Sequence, residues 1–434
     1  MSPTRVLTGI TTSGTPHLGN YVGAIRPAIA ASRVEGVESF YFLADYHSLI
    51  KVQDPARVQR STLEIAAAWL ACGLDPDKVR FYRQSDLPET TELTWLLTCV
   101  AGKGLLNRAH AYKAAVDRNR EAGEDDDAGI TGGLYMYPVL MAADILLFNA
   151  HKVPVGRDQV QHIEMARDIG QRFNHLYGRD YFTLPEAAIE EQVATLPGLD
   201  GRKMSKSYDN TIPLFAPRAE LRKLVFSIVT DSRAPGEPKD PAGSALFELY
   251  QAFATAGETA AMRKAYADGI AWGDAKQALF ERIDSEVAPL RERYEALVAD
   301  PARIEQQLRD GARRLREQHA TPFLHELRNA VGLRDLSSSA VDAPAARAAK
   351  AVLPVFKQYR EADGRFHFKL VDGDRVLLLS RGFDSPKDAG QCVAALKRDG
   401  FAGVDGDVSL GEGVEAESVV QALAAMRPAE EAKA

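Results

Sequence analysis

Arg5-Val6-Leu7-Thr8-Gly9-Ile10 runs directly into Thr11-Thr12-Ser13-Gly14-Thr15-Pro16-His17-Leu18-Gly19-Asn20. The first six residues predict a short buried strand. The next ten form a small polar turn, and a helix is expected from Gly19 to about Ser32. The same succession then recurs. Ser39-Phe40-Tyr41-Phe42-Leu43-Ala44 predicts a second strand. Asp54 as N-cap and Pro55 in the first turn begin a helix that reaches Cys72. Val79-Arg80-Phe81-Tyr82-Arg83 predicts a third strand. Strands alternating with helices predict a parallel α/β sheet of the doubly wound type.

Further along, the polar and acidic stretch 118–133 predicts a mobile loop. Pro138 is expected to open an apolar helix to about Asn149, and a second helix runs from Asp158 to about Asn174. Beyond Pro213 the pattern is helical to about Leu336. Residues 337–350 are small, polar and alanine-rich, and predict a linker. After them the period changes. Phe366, Phe368 and Leu370 alternate with polar residues, Asp372-Gly373 supplies a hairpin turn, and Val376 to Leu379 returns. Ser385-Pro386 starts a helix to about Arg398. The expected organisation is therefore an α/β domain over 1–213, a helical domain over 214–336, the linker, and a small α+β module over 351–434.

Bulk properties set limits. A chain of 434 residues suggests two to four domains. Hydrophobic residues make up 45% and charged residues 26%, as in ordinary globular proteins. The three cysteines, Cys72, Cys99 and Cys392, are widely separated and lack metal-ligand spacing. This argues for a reducing, cytoplasmic setting with no disulfide framework and no zinc site. No apolar run has membrane-spanning length, and the start Met1-Ser2-Pro3-Thr4-Arg5 carries no apolar targeting region. A net charge of −7 neither predicts nor excludes a nucleic-acid partner, because binding follows local patches.

Two stretches carry chemistry. In the first, Thr11, Thr12 and Ser13 precede a helix start whose N–H groups attract phosphate. Gly19 lets a flat base lie against bare backbone, and His17 and Asn20 are donors on the same turn. A helix cap with two surface polar residues would look the same. The second is Gly201-Arg202-Lys203-Met204-Ser205-Lys206-Ser207. Two ammonium groups three residues apart on a polar loop suit the charge of a leaving pyrophosphate. Taken alone, a solvated basic loop is the plainer reading.

Together, His17-Leu18-Gly19-Asn20 and Lys203-Met204-Ser205-Lys206-Ser207 resemble the two motifs of class I aminoacyl-tRNA synthetases. The resemblance covers roughly residues 5 to 335. It implies a Rossmann-type catalytic domain that binds ATP across both motifs, with Mg²⁺ held by the phosphates rather than by protein ligands. It gives Lys203, Lys206, His17 and Asn20 catalytic roles. Thr11, Thr12, Ser13, Gly19, Asn20, Gly156, Asp158 and the loop Lys203, Met204, Ser205, Lys206 and Ser207 would contact ATP. Lys113 matches a further lysine that the tryptophanyl branch brings to ATP. A snorkelling surface lysine is the alternative there.

The amino-acid pocket separates the tryptophanyl from the tyrosyl branch. Tyr137, Met141 and Asp144 fall at i, i+4 and i+7, so they share one face if the helix extends through Tyr137. An Asp in an apolar helix needs a partner. Indole offers one donor, its N–H, and Met141 is a soft wall for an aromatic ring. An Asp paired with a neighbouring Arg or helix end would satisfy the same need. This segment, and Val155 to Glu164, resemble the tryptophanyl branch. The resemblance implies that Asp144 accepts the indole N–H, that Tyr137 and Gln159 hold the ammonium and carboxylate end, and that Leu7, Gly9, His47 and Met141 line the pocket. Bacterial tyrosyl enzymes usually have Gln where Met141 stands. Two departures weaken the transfer. Thr11 replaces the usual Gln of that turn, and Leu7 replaces the usual Phe.

The implied activity is activation of tryptophan by ATP to tryptophanyl-AMP, then transfer to the 3′ end of tRNA(Trp). The branch acts as a homodimer, with the helical domain reading the anticodon. Arg309, Arg313 and Arg316 make a stripe, with Arg303 and Arg314 nearby, that suits phosphate contacts. A solvated face with acidic partners is equally consistent. The 351–434 module resembles a small bacterial strand-turn-strand-helix domain of unknown role. Three other readings share parts of this pattern: a tyrosyl enzyme, disfavoured by Met141; a small-molecule adenylating ligase, which would not need the helices past Pro213; and a catalytically dead relative that binds tRNA or tryptophan, disfavoured by His17, Asn20, Lys203 and Lys206.

Overall fold

The computed structural model describes residues 3–12, 14–189, 196–333, 354–361, 363–373, 375–400, 404 and 406–426. Ser13 and the expected linker 337–350 lie outside them. The chain forms two compact units, Met1–Arg334 and Asp335–Ala434.

The first unit is built on five parallel strands: β1 (Thr4–Ile10), β2 (Val37–Leu43), β3 (Arg80–Arg83), β4 (Lys152–Val155) and β5 (Glu186–Ile189). Their order is β3-β2-β1-β4-β5. Successive strands move outward in one direction from β1 and then in the other from β4. The switch point therefore lies between β1 and β4, where crossovers leave a crevice at the carboxyl ends. Side chains on these strands alternate between two cores. Ile10, Tyr41, Leu43 and Phe81 join one. Leu7, Phe40, Phe42 and Tyr82 join the other.

The first core continues without a break past Pro213 into the helices Arg218–Ser227, Ala245–Phe253 and Trp272–Val298. The helix Pro301–Leu315 covers the edge strand β3, and approaches so closely at Gly311 that a Cβ there would stand 1.9 Å from the Phe81 carbonyl oxygen. A covered edge strand is protected from pairing with another chain.

Two sequence expectations change. Pro138 does not open its helix: the helix spans Gly132–Leu146, and Thr131 caps it by accepting the Leu134 N–H. Pro138 lies inside, where it removes one backbone donor. The expected mobile loop 118–133 is also shorter. The helix His110–Ala122 consumes its first residues and closes on Gly123 in the left-handed region. The remainder is fastened by an Arg120–Asp126 ion pair, by Asn119 Nδ2 donating to the carbonyls of Asp126 and Ala128, and by Tyr112 Oη donating to Asp127.

The second unit is a four-stranded antiparallel sheet in the order β6 (Val355–Arg360), β7 (Phe366–Asp372), β8 (Arg375–Ser380) and β9 (Val408–Leu410). The helices Pro386–Asp399 and Ala416–Ala425 share a core with Phe368, Leu370 and Leu378. Gly373 takes the positive φ of the expected hairpin turn, and Ser385 caps its helix on the Asp388 N–H.

Candidate active site

The switch-point crevice opens into a cavity of about 670 Å³, whose lining includes Thr11, Gly14, Asn20, Val155, Gly156 and Lys206. The turn after β1 supplies the first three, and the end of β4 the next two. His17 caps the helix start in both directions: its Nδ1 accepts the Asn20 N–H at 3.3 Å, and Asn20 Oδ1 accepts the His17 N–H at 3.1 Å. An accepting Nδ1 must be unprotonated. Burial, with the Lys206 charge second, accordingly pushes the His17 pKa down to about 4. Thr12 is buried, and its hydroxyl has no hydrogen-bond partner among the described residues. At Gly156 a Cβ would stand 2.7 Å from Asp158 Oδ1, the end of an exposed side chain.

The Lys203–Ser207 loop is brought onto this turn by backbone stitching. Leu18 N–H donates to the Ile212 carbonyl, and Leu214 N–H to the Pro16 carbonyl. Lys206 Nζ would stand 3.3 Å from a Cβ at Gly14, which has φ +102. Burial lowers the Lys206 pKa, with Glu64 opposing that shift. Met204 is buried in the first core and packs beneath Gly19. Lys203 is exposed, and its backbone bridges Pro197 instead of lining the cavity. Ser205 Oγ caps the short turn Lys206–Tyr208 by accepting the Ser207 N–H.

The residue that pins this loop escaped the sequence reading. Asn210 is buried; its Oδ1 accepts the Ser205 N–H at 2.8 Å, and its Nδ2 donates to the Lys203 carbonyl and to Asp200. It follows Asp209, whose positive φ turns the chain, and the sequence around it carries no separate mark of that role.

The helix Gly132–Leu146 lies against the second core, on the other face of the sheet. Because it begins before Tyr137, the residues Tyr137, Met141 and Asp144 do share a face. Asp144 is 2% exposed. It accepts from His47 Nε2 at 2.8 Å and from Gln84 Nε2 at 2.8 and 2.9 Å. Burial raises its pKa, and the bonds from His47 and Gln84 oppose the rise. Its partners are thus a histidine and an amide, not an arginine or helix end. Gln84 was missed by sequence reasoning. It is fully buried after β3, and its Oε1 accepts the Tyr46 N–H. Leu7 is buried in the same core, and Gly9 faces Phe42, whose Cζ would lie 3.0 Å from a Cβ.

Beside them runs a hydrogen-bonded chain. Tyr137 Oη meets His162 Nε2 at 2.5 Å, His162 Nδ1 meets Gln159 Oε1 at 2.9 Å, and Gln159 Nε2 donates to Asp158 Oδ2 at 2.8 Å. Lys113 is not brought to Lys206. It lines a different cavity of about 610 Å³ with Arg108, His110 and Asp117. The arginine stripe is largely engaged: Arg309 pairs with Glu305, Arg313 with Asp310, and Arg316 with the buried Glu89. Arg314 donates to the Pro76 carbonyl.

Comparison with known proteins agrees with this architecture. Residues 1–288 match the family model of class I tRNA synthetases (W and Y). A tryptophan–tRNA ligase of Xanthomonas axonopodis pv. citri is 73% identical over 427 residues, covering 98% of this chain and 99% of that protein. One from Pseudomonas aeruginosa is 66% identical over 390 residues, covering 89% of this chain and 87% of its own. Among solved structures, a tryptophanyl-tRNA synthetase of Campylobacter jejuni, solved with ADP and tryptophan, superposes with a TM-score of 0.69 at 40% identity. It is matched over 100% of its length while covering 76% of this chain. With its doubly wound sheet, its two motifs meeting at the switch point and these matches, the chain belongs to the class I tRNA synthetases of the tryptophan and tyrosine group.

Proposed function

We infer that the chain is a tryptophan–tRNA ligase, and that its two substrates for activation meet at the carboxyl end of β1. ATP would occupy the crevice between the β1 turn and the end of β4. Tryptophan would lie on the other face of the sheet, along Tyr137, Met141 and Asp144. The observation that carries the choice of amino acid is Asp144. It is a buried carboxylate on an otherwise apolar face, with acceptor capacity beyond its bonds to His47 and Gln84. An indole N–H can use that capacity, and Met141 beside it is an apolar wall.

The reaction follows from the groups present. A carboxylate oxygen of the amino acid bonds to the α-phosphorus of ATP as the bond to the β-phosphate oxygen breaks, and the electron pair leaves with pyrophosphate. The nucleophile is already an anion, so no general base is needed. Rate then comes from positioning and from charge stabilisation. Lys206, over the β1 turn, is placed to meet charge developing on the pyrophosphate. Lys203 and Lys113 stand outside the cavity, so their proposed roles require the loop and the helix His110–Ala122 to close on ATP. The Asn20 side chain and the backbone of the turn at Gly19 would receive the adenosine part. Mg²⁺ is proposed to accompany the phosphates. In the second step a ribose hydroxyl at the tRNA 3′ end attacks the activated carbonyl and AMP leaves.

We also propose a cytoplasmic homodimer. No helix among the described residues is long and apolar enough to cross a membrane, and Cys72, Cys99 and Cys392 are free. Trp95, 67% exposed on the helix Pro88–Thr98, is a large apolar side chain for a second copy to cover. Pyrophosphate exchange into ATP, run with each of the twenty amino acids, tests the main reading. Tryptophan should support exchange, with tyrosine at least about a hundredfold poorer. Comparable exchange with tyrosine would overturn the assignment.

A further inference from the structure

We propose that His162 is the positioning residue that turns Tyr137 into an acceptor for the amino acid's ammonium group, beside the Gln159 amide oxygen that Asp158 orients, and that it does so as a neutral ring. The inference rests on the tryptophan-activating reading and extends it to a residue that touches no substrate.

The argument is one of proton placement. Asp158 Oδ2 is an acceptor, so the Gln159 amide must present its Nε2 there, at 2.8 Å. That fixes Gln159 Oε1 on the His162 side, 2.9 Å from Nδ1. Since Oε1 can only accept, Nδ1 carries a proton. A neutral imidazole then has a bare Nε2, and the group facing it is the Tyr137 hydroxyl. The tyrosine must donate. Its proton is committed to His162, and the lone pairs of its oxygen are left for an outside donor. The amide oxygen of Gln159 likewise keeps one lone pair.

A charged His162 would reverse this. Nε2 would then also donate, the Tyr137 oxygen would accept, and the phenol proton would point outward at the ammonium. The surroundings disfavour that state. His162 is 3% exposed, and burial, with His110 and His47 adding to it and Asp158 opposing, holds its pKa below the usual value. Its ring is held edge-on against Tyr137, centroids 5.0 Å apart. The ring sits in the first turn of the helix Val160–Tyr177. The neighbouring Gln161 ties that turn to the Arg108 carbonyl and the His110 N–H.

The test is selective for the ammonium. With the full chain, binding of tryptophan is compared with binding of indole-3-propionate, which keeps the ring and carboxylate and lacks the ammonium. His162→Ala should weaken tryptophan about tenfold, the scale of one hydrogen bond to a charged group. It should leave indole-3-propionate within about twofold. His162→Asn, which keeps a donor and an acceptor on a planar group, should recover part of the loss and retain the same selectivity. In a Tyr137→Phe background, adding His162→Ala should cost less than it does alone, because the pair acts as a unit. If either His162 variant weakens both ligands alike, or leaves tryptophan untouched, the proposal is wrong. Exchange by the unsubstituted chain reports separately on whether tryptophan is the substrate at all.

Discussion

Replacing Asp144 by Asn tests the amino-acid pocket with the least disturbance of its shape. The carboxylate is buried and accepts from two donors, so its loss has two separable effects. The first is on folding. Asp144→Ala would leave Gln84 Nε2 and His47 Nε2 facing a void. At about 1–3 kcal/mol for an unsatisfied buried donor such as Gln84, with less from the partly exposed His47, the chain would lose about 1–3 kcal/mol or more, enough to confuse any binding measurement. Asn keeps one acceptor oxygen and the volume. It also removes the cost of a buried charge. Burial raises the Asp144 pKa, so in the window between its ordinary and raised values the native state holds a proton that the unfolded chain does not. Stability of the unsubstituted chain therefore gains as pH falls through the raised value, and the Asn variant lacks this gain. The second effect is on binding. A hydrogen bond to a charged acceptor contributes about 1.5–3 kcal/mol, and a neutral one about half that. Tryptophan affinity should fall by about 0.75–1.5 kcal/mol, a factor of about 4–12, with ATP affinity unchanged. Equilibrium dialysis with each ligand, alongside urea denaturation, measures all three quantities. A folded Asn variant that loses tryptophan and ATP affinity equally would make Asp144 a scaffold residue and refute the reasoning.

Four further outcomes are expected. Lys206→Ala should lower the single-turnover rate of adenylate formation with little change in tryptophan affinity, because its charge is needed mainly in the transition state; a normal rate removes the loop from catalysis. His17 has a folded pKa of about 4 against an ordinary value of 6.5, so its contribution to stability is complete above about pH 6.5 and is lost as pH falls toward 4. His17→Gln should flatten that part of a stability-versus-pH curve. Gly311→Ala should destabilise by about 1–3 kcal/mol or more, because its Cβ collides with the Phe81 carbonyl, whereas Gly273→Ala, which meets nothing within 4 Å, should be neutral or stabilising in thermal denaturation. A chain ending near Leu336 should form adenylate at close to the full rate, since every residue assigned to activation precedes that point; a folded truncation that cannot do so would place the second unit in the catalytic machinery.

The legible parts of this protein were those written in local pattern. β1, β2 and β3 announced themselves as short apolar runs, and the turn after β1 as small residues before a helix. The spacing of Tyr137, Met141 and Asp144 puts them on one face only if the helix includes Tyr137, and its start at Gly132 meets that condition. What stayed hidden was set by contacts far apart in the chain. Gln84 matters because Asp144, sixty residues later, needs a donor. His162 matters because Tyr137 and Gln159 flank it in space. Neither has a local signal. Local signals also misled. Pro138 has the look of a helix start, but Thr131 is the better cap, and Gly132-Gly133 made that cap read as loop. The acidic run after Gly123 reads as disordered until Arg120, Asn119 and Tyr112 are seen to hold it. For the arginine stripe the sequence left phosphate contacts and acidic partners equally open; Glu305 and Asp310, one turn from Arg309 and Arg313, settle it for those two, while the Glu89 partner of Arg316 is supplied only by the fold.

The alternation of β1 explains why one site needs two separate binding regions. Val6, Thr8 and Ile10 face the cavity assigned to ATP, while Leu7 packs with Phe40, Phe42 and Tyr82 on the side of the Tyr137–Asp144 helix. A strand blocks any approach through the sheet, so the two substrates can meet only past its carboxyl end. There the chain has Gly9, next to last in the strand, and Gly14, neither of which carries a side chain. On this reading the small residues are required by the reaction as well as by the turn. The attacking carboxylate must cross the strand's end to reach the α-phosphorus, and a Cβ at Gly9 would press on the Phe42 ring, 3.0 Å away. Gly9→Ala should therefore impair the meeting of the substrates more than the binding of either. Tryptophan and ATP would each bind to within a few-fold of normal, while the rate of adenylate formation falls by about tenfold or more, as expected when reacting atoms are misplaced by a fraction of an ångström. Unchanged single-turnover kinetics in that variant would mean that the substrates do not meet at Gly9, and the two-faced arrangement would have to be abandoned.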